Sequence, residues 1–120
     1  MGLDLRLLPI QSEAIVYYSH TVLDVERRRD LFAELIDTEN IHGTSVPPDF
    51  HSFSGKLSNG ESGYGETAKT PYGNPVKCLT AQQLNAFQDH PDVRDNSLNR
   101  AVWAWLAAVD PEMRIALFWH

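Results

Sequence analysis

Five histidines (His20, His42, His51, His90, His120) and a single cysteine (Cys78) carry the most obvious chemistry in this sequence. No two of the histidines stand at i, i+4 and no Cys-x-x-Cys occurs, so the spacings that usually build a zinc site are missing and no metal is expected. His42, His51 and Asp49 sit in polar, loop-like sequence, where histidines are ordinarily solvated. Ser19, His20 and Asp24 supply the three residue types of a nucleophilic triad. Adjacent residues of a strand point to opposite faces, however, so Ser19 and His20 could not hydrogen-bond to each other there. Cys78 stands just ahead of a helix start, where a helix dipole could lower a thiol pKa, but between Val76 and Leu79 it reads more simply as a small buried hydrophobe. Gly63-Tyr64-Gly65 has neither the Gly-x-x-x-x-Gly-Lys-Ser/Thr nor the Gly-x-Gly-x-x-Gly continuation of a phosphate cradle. No cofactor is expected.

Charge and aromatic patterning point to contact rather than catalysis. Arg27, Arg28 and Arg29 form one cation run with Asp24, Glu26, Asp30 and Glu34 close by, so it reads either as a balanced solvated face or as a site for an anionic partner. Tyr17, Tyr18, Phe50, Phe53, Tyr64 and Tyr72 fall in strand or loop sequence beside Gly and Ser, the composition of contact surfaces. The candidate binding residues are therefore Tyr18, His20, Arg28, Phe50, Phe53, Tyr64 and Tyr72.

Several elements must position these residues. Leu3 to Leu7 alternates leucine with Asp4 and Arg6, a period-two strand ended by Pro9. Ala14 to Val22, rich in β-branched and aromatic residues, reads as a second strand, and the short connection between them predicts a hairpin. Leu31, Phe32, Leu35 and Ile36 then follow helical spacing, predicting a helix from about Val25 to Asp37 capped by Asp24. Residues 38 to 77 hold six of the seven glycines and four of the seven prolines. Forty structureless residues would be unusual inside a compact domain, so short strands are expected around Ser52 to Leu57, Tyr64 to Thr70 and Val76 to Leu79, with turns at Asn59-Gly60 and Gly73-Asn74.

The C-terminal third is better marked. Thr80 and Gln83 form a capping box, with Leu79 and Leu84 as its hydrophobic staple, so a helix starts at Ala81 and runs to about Asp89. Asn96 or Ser97 caps a third helix in which Leu98, Val102, Trp105, Leu106 and Val109 share a face. Arg114 to Trp119 is apolar on both faces, the pattern of a central strand covered on each side. Together these predict one α+β domain over residues 1 to 120, a mostly antiparallel sheet with a central C-terminal strand covered by about three helices.

Composition bounds the rest. With 120 residues, 42% apolar and 22% charged, the chain is globular and of single-domain size. Its net charge of -6 repels phosphate polyanions, so direct nucleic-acid binding is disfavoured. No apolar run is long enough to span a membrane, no signal segment is visible at Met1 to Pro9, and one cysteine cannot form an internal disulfide, so the cytoplasm is the expected compartment.

The opening Met1 to Pro9, Tyr18-Ser19-His20-Thr21, Gly63-Tyr64-Gly65, Thr70-Pro71-Tyr72-Gly73 and the ending Ala116-Leu117-Phe118-Trp119-His120 resemble a family of small, functionally unassigned proteins of bacteriophages and prophages. The resemblance implies a genomic context, in which small acidic proteins often bind a host protein, inhibitors of bacterial immunity such as anti-CRISPR proteins among them. The expectation is a non-enzymatic accessory protein in the host cytoplasm that binds and inhibits a host protein or protein–nucleic acid complex. The alternative is a small-ligand module that sequesters or hydrolyses a signalling nucleotide in a pocket of Tyr18, His20, Arg28, Tyr64 and Tyr72, with the rings stacking a base and Arg28 pairing a phosphate.

Overall fold

The computed structural model describes residues 3–13, 16–56, 62–66, 69–70 and 73–120. It is an α+β protein, as the pattern of elements predicts, but its strands divide between two sheets. The first sheet contains β1 (Leu5–Pro9), β4 (Leu23–Val25), β5 (Thr44–Ser45), β8 (Lys77–Thr80) and β9 (Arg114–Trp119), in the order β4-β1-β9-β8-β5. Its pairings are antiparallel. The second contains β2 (Gln11–Glu13), β3 (Val16–Ser19), β6 (His51–Lys56) and β7 (Ser62–Glu66) in the order β2-β3-β6-β7, with β3 and β6 parallel.

β9 is the middle strand, as its two-sided apolar pattern requires. Ile115, Leu117 and Trp119 join a core with Leu5, Leu7, Leu31, Leu35, Leu84, Trp103 and Leu106 on the helical side. Ala116 and Phe118 join Leu8, Ile10, Phe50, Val76 and Cys78 on the other. Every residue from Ile115 to Trp119 is buried. The Phe32 ring meets Trp119 edge-on, with centroids 5.2 Å apart.

The N-terminal pairing differs from expectation. β1 pairs with β4 and β9, not with Val16–Ser19; the chain instead leaves the first sheet at Ile10 and β2 makes the hairpin with β3. The physical reason is competition for the edges of β1, which the apolar strands β4 and β9 fill with Val25, Leu117 and Trp119 opposite its leucines. Asp24 is consequently a strand residue opposite Arg6 and not a helix cap. The first helix, α1 (Arg29–His42), starts four residues later than predicted, with Arg28 as an N-cap that makes no side-chain bond, and runs past the predicted Asp37 to His42. Leu31, Phe32 and Leu35 nevertheless form its buried stripe.

α2 (Ala81–Asn85) begins at the predicted capping box: Thr80 Oγ1 accepts from the Gln83 amide at 3.1 Å and Gln83 Oε1 accepts from the Thr80 amide at 2.9 Å. It is shorter than predicted, and a separate short helix, α3 (Pro91–Arg94), follows. Thus four helices, not three, occur among the described residues. Asn96 caps α4 (Ser97–Ala108), bonding the Asn99 amide at 2.9 Å. The buried face of α4 is rotated from the predicted one: Leu98 is exposed, while Asn99 and Trp103 turn inward. Their polar bonds explain this. Asn99 accepts from the Glu26 amide at 2.7 Å and donates to the carbonyls of Glu26 and Asp92, and Trp103 Nε1 donates to the Leu84 carbonyl at 2.8 Å. A buried amide and indole with every partner in place compete well with an aliphatic side chain for the inward position.

Gly73, in a left-handed conformation with φ of 83°, makes the turn closed by the Thr70 and Asn74 backbone. The Asn59-Gly60 turn lies outside the described residues.

Candidate functional site

Strand alternation divides the second sheet into two faces. Ser19 and Ser52, paired across β3 and β6, are fully buried, and Tyr17 packs toward the core under the Arg114 guanidinium, 5.6 Å from its ring centroid. Tyr18 therefore belongs to the opposite, outward face. It stands in register between Gln11 of β2 and His51 of β6, both exposed. His20, exposed just past the end of β3, returns its ring to within 4.6 Å of the Tyr18 centroid at an angle of 59°. Ser19 Oγ donates to the Thr21 carbonyl at 3.0 Å, fastening the bend that brings His20 back.

Tyr18 and His20 are thus brought together. β6 and β7 carry Phe53 and Tyr64 into the same sheet, but the side chains of these two residues, and all of Tyr72, lie outside the described residues. Phe50 is not a contact residue: at 1% exposure it is core, packed with Leu8, Ile10 and Phe118. A large ring placed directly after a tight turn at Asp49 (φ 59°) is carried under the sheet rather than out into solvent. Arg28 is remote in function from the Tyr18 pair, since its guanidinium binds Glu26 at 3.1 Å and the Arg27 carbonyl at 3.1 Å.

That ion pair is typical of the arginines. Arg6 meets Asp24 at 3.3 Å, Arg27 meets Asp4 at 2.9 Å, Arg29 meets Asp30 at 3.6 Å and Arg94 meets Asp95 at 3.2 Å. The 27–29 run is thereby balanced within the chain. Over the whole chain sixteen acidic side chains outnumber ten basic ones.

Other candidate chemistry does not assemble. Ser19 faces inward, His20 outward, and Asp24 pairs with Arg6, so the triad types do not meet. Among the described residues no group of three or more His, Cys, Asp and Glu side chains could hold a metal ion. Cys78 is buried at 1% exposure, its Sγ 3.3 Å from Thr44 Oγ1 and within weak hydrogen-bond reach of the Thr44 and Ser45 carbonyls.

Two grooves flank α1. One, about 460 Å³, is lined by Asp30, Ala33, Glu34, His90, Pro91 and Asp92. His90 Nδ1 accepts from the Asp92 amide at 3.0 Å as the N-cap of α3, which leaves Nε2 to meet the Glu34 carboxylate. The second, about 380 Å³, is lined by Leu3, Arg27, Arg29, Phe32, Ala33 and Ile36. Neither follows from motif spacing. The usable signal for the first is His90 before Pro91, an N-cap followed by proline at the first helical position.

Two partly buried titratable groups are displaced. Burial raises the Glu39 carboxyl above its usual range against the opposing Trp119 Nε1–H bond at 3.2 Å and nearby Lys77. Burial, reinforced by Arg6, lowers His120, whose ring stacks on Phe118 at 5.9 Å. No helix among the described residues is long and apolar enough to cross a membrane. Comparison of the chain with family models, with curated proteins and with solved structures returns no match. Fold and surface define an α+β protein with an aromatic, histidine-bearing outer sheet face.

Proposed function

We propose that this is a phage accessory protein that binds a host protein and inhibits it, an antiviral-defence inhibitor in the manner of anti-CRISPR proteins, using the outer face of the second sheet as its contact surface. The observation that carries the reading is the Tyr18–His20 ring pair beside His51 on an outward sheet face. Rings held against each other offer apolar area with little rotamer freedom to lose on binding. A net charge of -6 supports a partner with a basic surface. The nucleotide reading has less support: Arg28, its phosphate ligand, is engaged by Glu26.

The test joins capture to function. The protein should co-purify stoichiometrically with one host component and relieve phage resistance in cells, and Tyr18→Ala with His20→Ala should abolish both while the chain still melts cooperatively within a few degrees of wild type. Intact resistance in cells expressing the wild-type chain would refute the reading. A clear thermal shift with one of a panel of cyclic and adenine nucleotides, about 2.7 kcal/mol at 100 times the dissociation constant, would favour the ligand module instead.

A further inference from the structure

We infer that the outward face of α1 is a docking surface for a second copy of this chain, related by a two-fold axis passing beside Ala33. Arg29, Ala33 and Asp37 are spaced four residues apart and so line one face of the helix, and all three are exposed. Arg29 is 97% exposed, and its 3.6 Å contact is with its own neighbour Asp30, an exposed pair of the kind that exchanges readily for another carboxylate. Asp37 makes no ion pair among the described residues. Beside this row lies the groove of about 380 Å³ whose apolar lining is Leu3, Phe32, Ala33 and Ile36. Leu3, at 36% exposure, is one of the few large apolar side chains left open to solvent.

The charge order selects the occupant. The face reads cation, small residue, anion from N- to C-terminus, and its complement is the same face running the other way. A two-fold axis at Ala33 superimposes position 29 on 37, so Arg29 meets Asp37 of the partner subunit and Asp37 meets Arg29 of the partner subunit. Alanine at the crossing point permits an interaxial distance near the short end of the ~8 to 10 Å range of packed helices. The same rotation brings Ile36 of the partner subunit level with the first turn, at the mouth of the apolar groove. Two acidic chains repel each other over most approaches, and here each contributes a matched pair of opposite charges. A 14-residue helix is only about 21 Å long, so the contact covers less than the ~800 Å² per partner of a standard stable interface. The dimer is therefore weak and reversible.

Sedimentation velocity of the full chain over a series from low micromolar to near millimolar should show a monomer–dimer equilibrium. Ala33→Glu and, separately, Asp37→Arg should each weaken it by about tenfold or more, the second by facing Arg29 with a like charge. The charge swap Arg29→Asp with Asp37→Arg restores complementarity and should return the dissociation constant to within a few fold of wild type. Far-UV circular dichroism melts confirm that each variant folds. A wild-type chain that stays monomeric throughout overturns the inference, as does a dimer indifferent to Ala33→Glu or a swap that fails to rescue Asp37→Arg.

Discussion

The two sheets differ in what their faces meet. In the first, β9 has core on both sides, Ile115, Leu117 and Trp119 against the helices and Ala116 and Phe118 against the smaller core. In the second, the inner face carries fully buried serines at Ser19 and Ser52, and the outer face presents Gln11, Tyr18 and His51. Its β6–β7 register also shifts between Ser52 and Gly55. A strand buried on both faces contributes stability along its whole length, whereas a one-sided strand leaves alternate residues free for recognition. The two-sided core and the exposed aromatic face thus lie in different sheets of the same short chain.

Removing Ile115 to His120 is the harshest test of that division. It deletes the middle strand and two large buried aromatics, with a loss comparable to the ~5 to 15 kcal/mol that holds a domain folded. The truncated chain should show no cooperative melt, and an unchanged transition would mean that β9 is peripheral. Next, Leu117→Ala, at a fully buried position, should cost about 3 kcal/mol in urea titration, while Tyr18→Ala should cost under about 1 kcal/mol. Equal losses would erase the contrast between the sheets.

Asn99→Ala should fall between these, at about 2 to 3 kcal/mol, because it strips partners from the Glu26 amide and from the Glu26 and Asp92 carbonyls. Ala is a better helix former than Asn, so a gain in stability would show that those groups find other partners.

The smallest effect is one of pH. Glu39 holds its proton more tightly in the folded protein, so the native state binds more protons than the unfolded chain above the ordinary 4.5 and up to the raised value. Stability should fall as pH rises through that window, and Glu39→Gln should flatten the dependence. His120 acts oppositely. Lowered from 6.5, it resists protonation in the folded protein, so its effect is a loss of stability as pH falls below 6.5. Melts of the Gln variant from pH 4 to 8 that parallel wild type would remove Glu39 from the account.

Local rules reached as far as local competition allowed. The Thr80–Gln83 capping box, the Asn96 cap, the Leu31–Phe32–Leu35 stripe and the two-sided β9 are all readable because each is determined by side chains within a few residues. Strand pairing was not. Val16–Ser19 and Leu23–Val25 are both plausible neighbours for β1, and the choice rests on residues more than 100 positions away in β9. The candidate site divided in the same way. Tyr18 and His20 met because a strand end and a bend bring near neighbours together, whereas Phe50 went to the core and Arg28 to Glu26.

By itself the sequence determined the α+β class, the sites of helix initiation near Thr80 and Asn96, and the burial of the last strand. These follow from hydrophobic periodicity and side-chain capping, whose range is one or two turns. Only the tertiary structure decided that there are two sheets, that α4 turns Asn99 and Trp103 inward and Leu98 outward, and that α1 displays Arg29, Ala33 and Asp37 beside an open apolar groove. The physical reason is that sheet edges and helix rotations are chosen by bonds and packing partners distant in the chain, such as Asn99 with Glu26 and Leu7 with Leu117, which no local pattern encodes.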